Sequence, residues 1–460
     1  MFKPETYIKR RKQLKNDLKS GIILMPGNEE SPMNYADNTY HFRQDSSFLY
    51  FFGLDHPGLT GLIDVDNDTD YIFGNDLTID DIVWMGTKPS IKERSLAAGI
   101  NNTGTISQLD EFLKKAKNSG RKIHFLPQYR ALNNIKFFNW LNINPNDVNK
   151  FASVELIKSV VNQRNIKTDE EIIQIEEAVN TTVDMHLAAM RMARPGISEA
   201  DIAATVHQIA IANAGELSFP TIASIHGETL HNHSHKNILK KGDMLLLDAG
   251  AENRMHYAGD MSSTIPVDKK FTNRQKEIYS VTLNAHMAAV NALKPGIKFK
   301  DIHLLACKTI AQGMKDLGFM KGDINEAVAQ GAHAMFFPCG LGHMMGLDVH
   351  DMENLGEVYV GYDGKPKSTQ FGIKSLRLAR ELEPGFVLTI EPGIYFIPEL
   401  IDKWRTEKKF MEFLNYDKLK EYKNFGGIRN EEDYLITKDG ARLLGKPLPK
   451  TIEDVENERK

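Results

Sequence analysis

The chain has 460 residues, of which 41% are hydrophobic and 26% charged, and a net charge of −4, as expected for a globular protein with room for two domains. This charge argues against a nucleic-acid partner, no apolar run is long enough to cross a bilayer, and two cysteines cannot form a disulfide framework. The basic N-terminal stretch is not followed by the apolar core of a signal peptide, so we expect a cytoplasmic protein without a membrane partner.

Residues 1–155 are predicted to form an α/β N-terminal domain, because short apolar strands alternate with turn residues and helical patterns. The expected helices are Glu5–Ser20 and Ile106–Asn118. The expected strands are Gly21–Met25, Phe48–Gly53, Gly61–Val65, Asp70–Phe73 and Lys122–Leu126.

A helix start marks the second domain, which is predicted to cover residues 165–460. Thr168 precedes Glu171 by three residues, the spacing of a capping box, in which each side chain bonds to the backbone N–H of the other residue. The helix is expected to continue to about Met192, before Pro195 and Gly196 end it.

This helix, the turn after it and the start of the next helix occur twice, 100 residues apart. The matching pairs are His186-Leu-Ala-Ala with His286-Met-Ala-Ala, Pro195-Gly-Ile with Pro295-Gly-Ile, and Asp201-Ile with Asp301-Ile. Several matches in one register indicate a duplicated α/β half of about 130 residues. We therefore expect a pseudo-two-fold domain whose site lies between the two halves.

Three acidic segments follow buried strand patterns in this second domain. Asp248 ends the apolar run from Met244, and Asp260 begins the next strand pattern, so a hairpin would bring both carboxylates to one end. A terminal aspartate is also a common turn former. Glu391 follows another apolar run, where a buried charge needs a partner or a metal. Strand alternation puts Glu431 and Glu432 on opposite faces and does not say which one faces the site.

His343 lies in a glycine-rich segment and completes a set with Asp248, Asp260, Glu391 and Glu431. Four carboxylates carry about four negative charges, which two divalent cations would nearly neutralise. Oxygen ligands with a single imidazole suit Mn²⁺, Co²⁺ or Fe²⁺, with Zn²⁺ as a further option. The set therefore predicts a two-metal hydrolase.

A competing pattern is the run His231-Asn-His233-Ser-His235, since on a strand its three histidines would share one face and imitate a zinc site. The segment has the character of a loop, which disfavours that interpretation. The chain also lacks HExxH, GxSxG and P-loop motifs, which disfavours a single-zinc peptidase, a serine hydrolase and a P-loop nucleotide enzyme.

Over nearly its whole length the chain resembles the proline-specific metallopeptidases of the creatinase or "pita-bread" fold, aminopeptidase P and prolidase. The N-terminal resemblance is carried by residues 40–53 and by Trp84-Met85-Gly86. The catalytic motifs that match in order are Leu247-Asp248-Ala-Gly, Ala258-Gly259-Asp260, Gly342-His343, Val349-His350-Asp351, Thr389-Ile390-Glu391-Pro392-Gly393 and Gly427-Ile428-Arg429-Asn430-Glu431.

The resemblance implies an α+β fold, with a pita-bread domain of internal pseudo-two-fold symmetry behind the N-terminal domain. It also implies a homo-oligomer, dimer or tetramer, and two divalent metals, usually manganese, bridged by a hydroxide. Asp260 and Glu431 would bridge both ions, Asp248 would complete one shell, and His343 with Glu391 would complete the other. By resemblance, Glu391 also shuttles a proton to the leaving nitrogen, while His231 and His350 hold the substrate and steady the tetrahedral intermediate.

The substrate would be a peptide with proline in second position. Of the family's activities, the resemblance favours the broader Xaa-Pro aminopeptidase, with the Xaa-Pro dipeptidase close behind it. A dipeptidase must read the free carboxylate after proline, and Arg377 stands at the corresponding prolidase position. The structural alternative for Arg377 is a solvated side chain. A creatinase-fold binding protein without catalysis is a further alternative, which the complete ligand set disfavours.

Three departures from the family pattern stand out. The interval between Asp248 and Asp260 is twelve residues, one longer than usual, so a bulge or a widened turn must absorb a residue. Cys339 stands where most relatives have histidine, which affects one substrate-side contact. Asn430 replaces the usual isoleucine, with no consequence that we can derive.

Overall fold

The computed structural model describes residues 1–459, which divide into two compact units. The first unit is Met1–Arg164 with Asn354–Tyr359, and the second is Asn165–Glu353 with the remainder of the chain from Val360. No helix in this described part is both long and apolar enough to traverse a lipid bilayer.

The first unit contains a five-stranded mixed sheet, whose strands lie in the order β4-β3-β2-β1-β5. Its central strand β1 is buried at every position and pairs antiparallel with β2 and parallel with β5. The strands are β1 Ile22–Pro26, β2 Thr60–Asp64, β3 Thr69–Phe73, β4 Asn102–Gly104 and β5 Ile123–His124. The helices are α1 Pro4–Leu18, α2 Ser46–Phe52, α3 Ile79–Met85, α4 Ile91–Ala97, α5 Ile106–Asn118, α6 Ala131–Leu141 and α7 Val154–Asn165.

The expected strand Phe48–Gly53 is wrong, because this segment lies in helix α2. All seven helix residues are buried, so no exposed face remains to reveal a helical period in the sequence. The local signal is the cap: Asp45 accepts a hydrogen bond from the backbone N–H of Phe48 at 2.8 Å, and Gly53 ends the helix at φ 65°.

The second unit contains the repeated helix pairs and several small antiparallel sheets. Its helices are α8 Asp169–Met192, α9 Glu199–Ala212, α10 Asn273–Ala292, α11 Phe299–Asp316, α12 Ile324–Gln330, α13 Glu357–Val360, α14 Pro398–Thr406, α15 Tyr416–Lys420 and α16 Ile452–Glu458, of which α13 begins in the segment assigned to the first unit. Its strands are β6 Glu216–Leu217, β7 Ile222–Ser224, β8 Met244–Ala249, β9 Ala251–Glu252, β10 Met261–Pro266, β11 Val387–Ile390, β12 Gly393–Tyr395, β13 Gly427–Arg429, β14 Glu432–Ile436 and β15 Ala441–Leu443.

The sequence repeat is present in this fold as two equivalent helix pairs. Helices α8 and α9 pack together, as do α10 and α11, and the turns between them place Gly196 and Gly296 at φ 94° and 83°. The first pair precedes the sheet β10-β8-β7, and the second precedes the sheet β11-β14-β15. The predicted capping box at Thr168 and Glu171 is confirmed at the start of α8.

Candidate active site

A hairpin places the two aspartates. Strands β8 and β10 pair antiparallel, with Asp248 opposite Ser262, and Asp260 directly precedes β10. The same register continues to the bridge between Glu252 and Ala258, which leaves residues 253–257 as the turn. No bulge interrupts this described hairpin, so the additional residue predicted from the interval lies in a widened turn.

Close backbone contacts place His343 beside strand β11 and Glu391 at its end. The His343 N–H donates to Thr389 Oγ1 at 3.2 Å, and the Thr389 N–H donates to the His343 carbonyl at 3.0 Å. A Cβ on Gly342 would lie 2.0 Å from the Thr389 carbonyl oxygen, so only glycine permits this approach. Glu391 donates its own N–H to the Leu341 carbonyl at 2.8 Å, which joins the loop and the strand end.

Glu431 lies in the break between β13 and β14 and faces the aspartates. Its backbone N–H donates to the Ser262 carbonyl at 3.0 Å, and Ser262 Oγ donates to its carboxylate at 2.7 Å. Glu432 points elsewhere, since it accepts from Tyr434 at 2.8 Å and pairs with Lys450. The structure therefore distinguishes the two glutamates that strand alternation left open.

The five expected ligand residues line one cavity of about 670 Å³. Asp260, His343 and Glu431 each place a ligand atom within 4.8 Å of the others. His343 Nε2 lies 3.3 Å from an Asp260 carboxylate oxygen and 3.7 Å from one of Glu391. Both halves of the duplicated domain contribute to this group, as the repeat predicts.

Burial of so many acids in one place changes their protonation. Burial, and then the neighbouring Asp248, raise the pKa of Asp260 to about 8. Burial likewise raises the pKa of Glu391 to about 7 and that of Glu431 well above its ordinary range. Burial lowers the pKa of His343, which favours the neutral imidazole that a metal ligand needs. A cation is the partner that would keep these groups deprotonated.

Arg429 is a buried cation at the cavity that the charge count from the sequence missed. Its guanidinium is buried and bonds to Asp248, to Ser262 Oγ at 2.8 Å and to the Tyr395 hydroxyl at 2.9 Å. Ser262 Oγ in turn donates a hydrogen bond to the Glu431 carboxylate. Arg429 therefore orients Asp248 directly and Glu431 through Ser262. The sequence signal for it was its place two residues before Glu431.

The repeated histidines are a second feature whose role the sequence did not reveal. His186 Nε2 donates to the Ala249 carbonyl at 3.1 Å, next to Asp248. His286 Nδ1 donates to the Asn430 carbonyl at 3.3 Å, next to Glu431. Both rings are fully buried, and burial lowers the pKa of His186 to about 4. Each half thus uses the same helix position to hold the backbone beside one of the expected ligand residues.

The expected substrate residues His231, His350 and Arg377 also line the cavity. Glu353 connects two of them, since its carboxylate lies 2.7 Å from His350 Nδ1 and 3.3 Å from Arg377 Nε. The His350 hydrogen bond is the main cause that lowers the pKa of Glu353 to about 2. Burial, and then Arg429, lower the pKa of His231.

The competing three-histidine site does not form. Residues 231–237 include no strand, and within the described chain no metal-type group contains His231, His233 or His235. His235 instead lies 3.0 Å from the Thr221 carbonyl. Cys339 also lines the cavity, and burial raises the pKa of its thiol to about 12.

Comparisons with known proteins show the family of both parts of the chain. Metallopeptidase family M24 matches residues 173–438, and the aminopeptidase P N-terminal domain matches residues 7–124. Human Xaa-Pro dipeptidase is 30% identical over 95% of this chain and 88% of its own length, and a probable Xaa-Pro aminopeptidase of Aspergillus niger is 27% identical over 98% and 95%. Zinc-substituted E. coli aminopeptidase P in complex with product is 26% identical, with a TM-score of 0.81 over 100% of this chain and 98% of that one.

Raising the pH should destabilise the metal-free protein. The pKa of Asp260 is raised from 3.8 to about 8 and that of Glu391 from 4.5 to about 7, so between these limits the folded chain binds more protons than the unfolded chain. Stability then falls with pH, by up to about 1.4 kcal/mol per pH unit for each such carboxyl. Unfolding of metal-free protein in urea at pH 5.5 and 8 measures this loss, and added divalent ions should restore stability more at pH 8.

The control is an Asp260→Asn, Glu391→Gln double variant, which lacks both carboxyl groups. Its stability should depend less on pH over the same range. An equal dependence in the variant and the parent would assign the effect to other groups.

Arg429→Lys should weaken metal retention, because lysine keeps the charge but cannot bond to Asp248, Ser262 and Tyr395 together. Loss of such a positioning group costs about 10- to 100-fold in metal affinity. Competition with a metal chelator measures the change. Arg442→Lys is the matched control, since Arg442 pairs with Glu176 at the surface and should leave the affinity unchanged. Equal affinities of both variants would contradict the role of Arg429.

Proposed function

Because the chain belongs to metallopeptidase family M24, we propose that it hydrolyses the bond between an N-terminal residue and a following proline, with two divalent metal ions. The proposal rests on one observation. Four carboxylates and an imidazole from separate segments meet at one cavity, and burial favours protonation of three of the acids unless cations replace the protons.

Charge balance supports two ions rather than one. Four carboxylates with the Arg429 guanidinium carry a net charge of about minus three, which two divalent ions and one hydroxide would cancel. We propose Asp260 and Glu431 as bridging ligands, Asp248 as a ligand of one ion, and His343 with Glu391 as ligands of the other. Bound ions, manganese or alternatively cobalt, iron or zinc, would supply hydroxide at neutral pH and stabilise the oxyanion.

Glu391 is the proposed proton carrier. Its side chain is 20% exposed, compared with 6% for Asp260, so it is the more accessible of the two from the cavity. A carboxylate in that position can take a proton from the attacking water and return it to the proline nitrogen. His350 has Nδ1 bonded to Glu353, which leaves Nε2 to contact the substrate, and His231 lines the same cavity.

The cavity wall suits a proline ring, because apolar side chains surround the charged group. The apolar lining includes Phe219, Pro220, Ile222, Leu230, Val349 and Phe371. In an Xaa-Pro peptide bond the proline nitrogen has no hydrogen to donate. Recognition must therefore rest on the shape of the ring and on the groups at each side of it. We retain with this proposal the predicted cytoplasmic location and homo-oligomeric state.

Metal-dependent cleavage tests the function. We expect metal-stripped protein to be inactive on Gly-Pro and on a longer Xaa-Pro-Xaa peptide, and Mn²⁺ to restore cleavage of at least one. Glu431→Gln should lower kcat/KM by about a hundredfold or more, given that loss of an outer partner alone costs 10- to 100-fold in affinity. Glu432→Gln is the neighbouring control and should retain its metal. No metal-dependent cleavage of either peptide would overturn the proposal.

A second candidate, an Xaa-Pro dipeptidase, is favoured by Arg377. This arginine lines the cavity beside His350, and a guanidinium there can bind the free carboxylate that follows proline in a dipeptide. The Glu353 carboxylate already bonded to it would orient it and would compete weakly with the substrate. An aminopeptidase has no need of such a contact, because its substrates continue beyond proline.

Arg377→Ala should lower kcat/KM for Gly-Pro by about 10- to 100-fold, the worth of a hydrogen bond between charged groups, and should affect a longer peptide much less. Arg380→Ala is the control, since Arg380 lies on the same segment but bonds to Glu383. Equal losses on the two substrates would refute the carboxylate role. Cleavage of the dipeptide alone by the parent protein would assign it as a dipeptidase.

A further inference from the structure

A second group of metal-type side chains lies in the core of the second unit, apart from the five residues described above. His303 and Cys307 are one turn apart on α11, and His333 lies on the short 3-10 helix Ala332–Met335. Each of the three offers a ligand atom within 4.8 Å of the other two, and all three are fully buried. None of them lines the active-site cavity.

The hydrogen bonding of this group is incomplete. Cys307 Sγ lies 3.5 Å from His303 Nε2, which a thiol hydrogen bond would explain. Within residues 1–459, however, His303 Nδ1 and both ring nitrogens of His333 have no well-aligned hydrogen-bond partner. The backbone of Gly372 and that of Val328 lie near enough to raise the pKa of His303 and His333 slightly against the larger effect of burial. A buried polar group left in this way costs about 1–3 kcal/mol. A hydrogen bond inside the group does not remove that cost.

The donor set and its spacing fit a metal ion. Zinc bonds of about 2.3 Å to sulfur and 2.0–2.1 Å to nitrogen, at a tetrahedral angle, put the two ligand atoms about 3.5 Å apart. The observed separation of Cys307 Sγ and His303 Nε2 is 3.5 Å. Burial lowers the pKa of His303 to about 3 and that of His333 to about 4, so both imidazoles are neutral and have lone pairs to offer.

Neighbouring residues pack closely on both histidines of this group. The Phe337 ring packs on His303 with centroids 5.6 Å apart. Gly372 packs against His333 at φ 90°, where a Cβ would lie 3.1 Å from Nε2 and 2.6 Å from the Ala334 Cβ. These contacts restrict the rotation of both rings, which favours a ligand as small as a single ion.

We propose that His303, Cys307 and His333 bind one thiophilic metal ion, Zn²⁺ or Cu⁺, in a structural site. Metal binding would release the thiol proton of Cys307 to solvent and leave a metal–thiolate bond. With Zn²⁺ the three ligands leave a net positive charge, whereas with Cu⁺ the buried site would be neutral. The ion would fix the segment that leads from His333 to Cys339, and Cys339 lines the active-site cavity.

Spectroscopy on the intact protein tests this site separately from the catalytic metals, because those have only oxygen and nitrogen ligands. Protein produced with Co²⁺, a probe for zinc, should show a thiolate-to-cobalt charge-transfer band with about one equivalent of thiolate-bound ion. X-ray absorption at the cobalt edge averages over all bound cobalt, including any in the catalytic centre, and should report about one sulfur ligand per protein chain. In a second arm, Cu⁺ supplied in reduced form should show one sulfur and two nitrogen ligands.

The two cysteines of the chain supply a matched pair of variants. Cys307→Ser should abolish the sulfur signal, whereas Cys339→Ser should leave it unchanged. A signal that follows Cys339 instead would overturn the site. If Cys307→Ser does not fold, the parent protein still decides, since the absence of a metal–sulfur signal with both ions refutes the proposal. A signal with Co²⁺ alone assigns zinc, and one with Cu⁺ alone assigns copper.

Discussion

Burial of several carboxylates in one place, increased by their mutual repulsion, is the constraint on which the second unit depends. Asp248, Asp260, Glu391 and Glu431 each come from a different segment, and burial alone would drive protons onto three of them. The fold opposes this with one permanent cation, Arg429, which bonds to Asp248 and reaches Glu431 through Ser262. The negative charge that Arg429 leaves unneutralised would attract metal ions. The same buried negative charge therefore lowers the stability of the metal-free fold and would favour the binding of cations.

The two halves of the duplicated domain support the site through equivalent histidines. Each helix pair places one buried histidine against the backbone beside a proposed ligand residue: His186 next to Asp248, and His286 next to Glu431. In both cases the contact is to a carbonyl, so the side chain of the ligand residue remains available to the cavity. The motifs that contain His186 and His286 were the clearest sign of the repeat in the sequence. The structure explains why each motif contains a histidine.

The sequence predicted those features that depend on neighbours along the chain. Helices α5 and α8, the hairpin of Asp248 and Asp260, and the repeat all follow from periodicity, caps and spacing. It failed where distant residues decide. The segment Phe48–Gly53 is apolar on every side, so its period was hidden, and the choice between Glu431 and Glu432 required the contact with Ser262. Arg429 and the group around Cys307 became visible only when side chains from separate elements met.

The continuous register of the hairpin changes how the distance between its two aspartates is understood. Asp248 and Asp260 are held by strand pairing, whereas the residues between them close at a turn on the far side of the bridge from Glu252 to Ala258. Insertion into strand pairing would turn a ligand to the opposite face, but insertion at residues 253–257 leaves both carboxylates where they are. The turn is therefore a place where the chain can accept added residues without moving either aspartate.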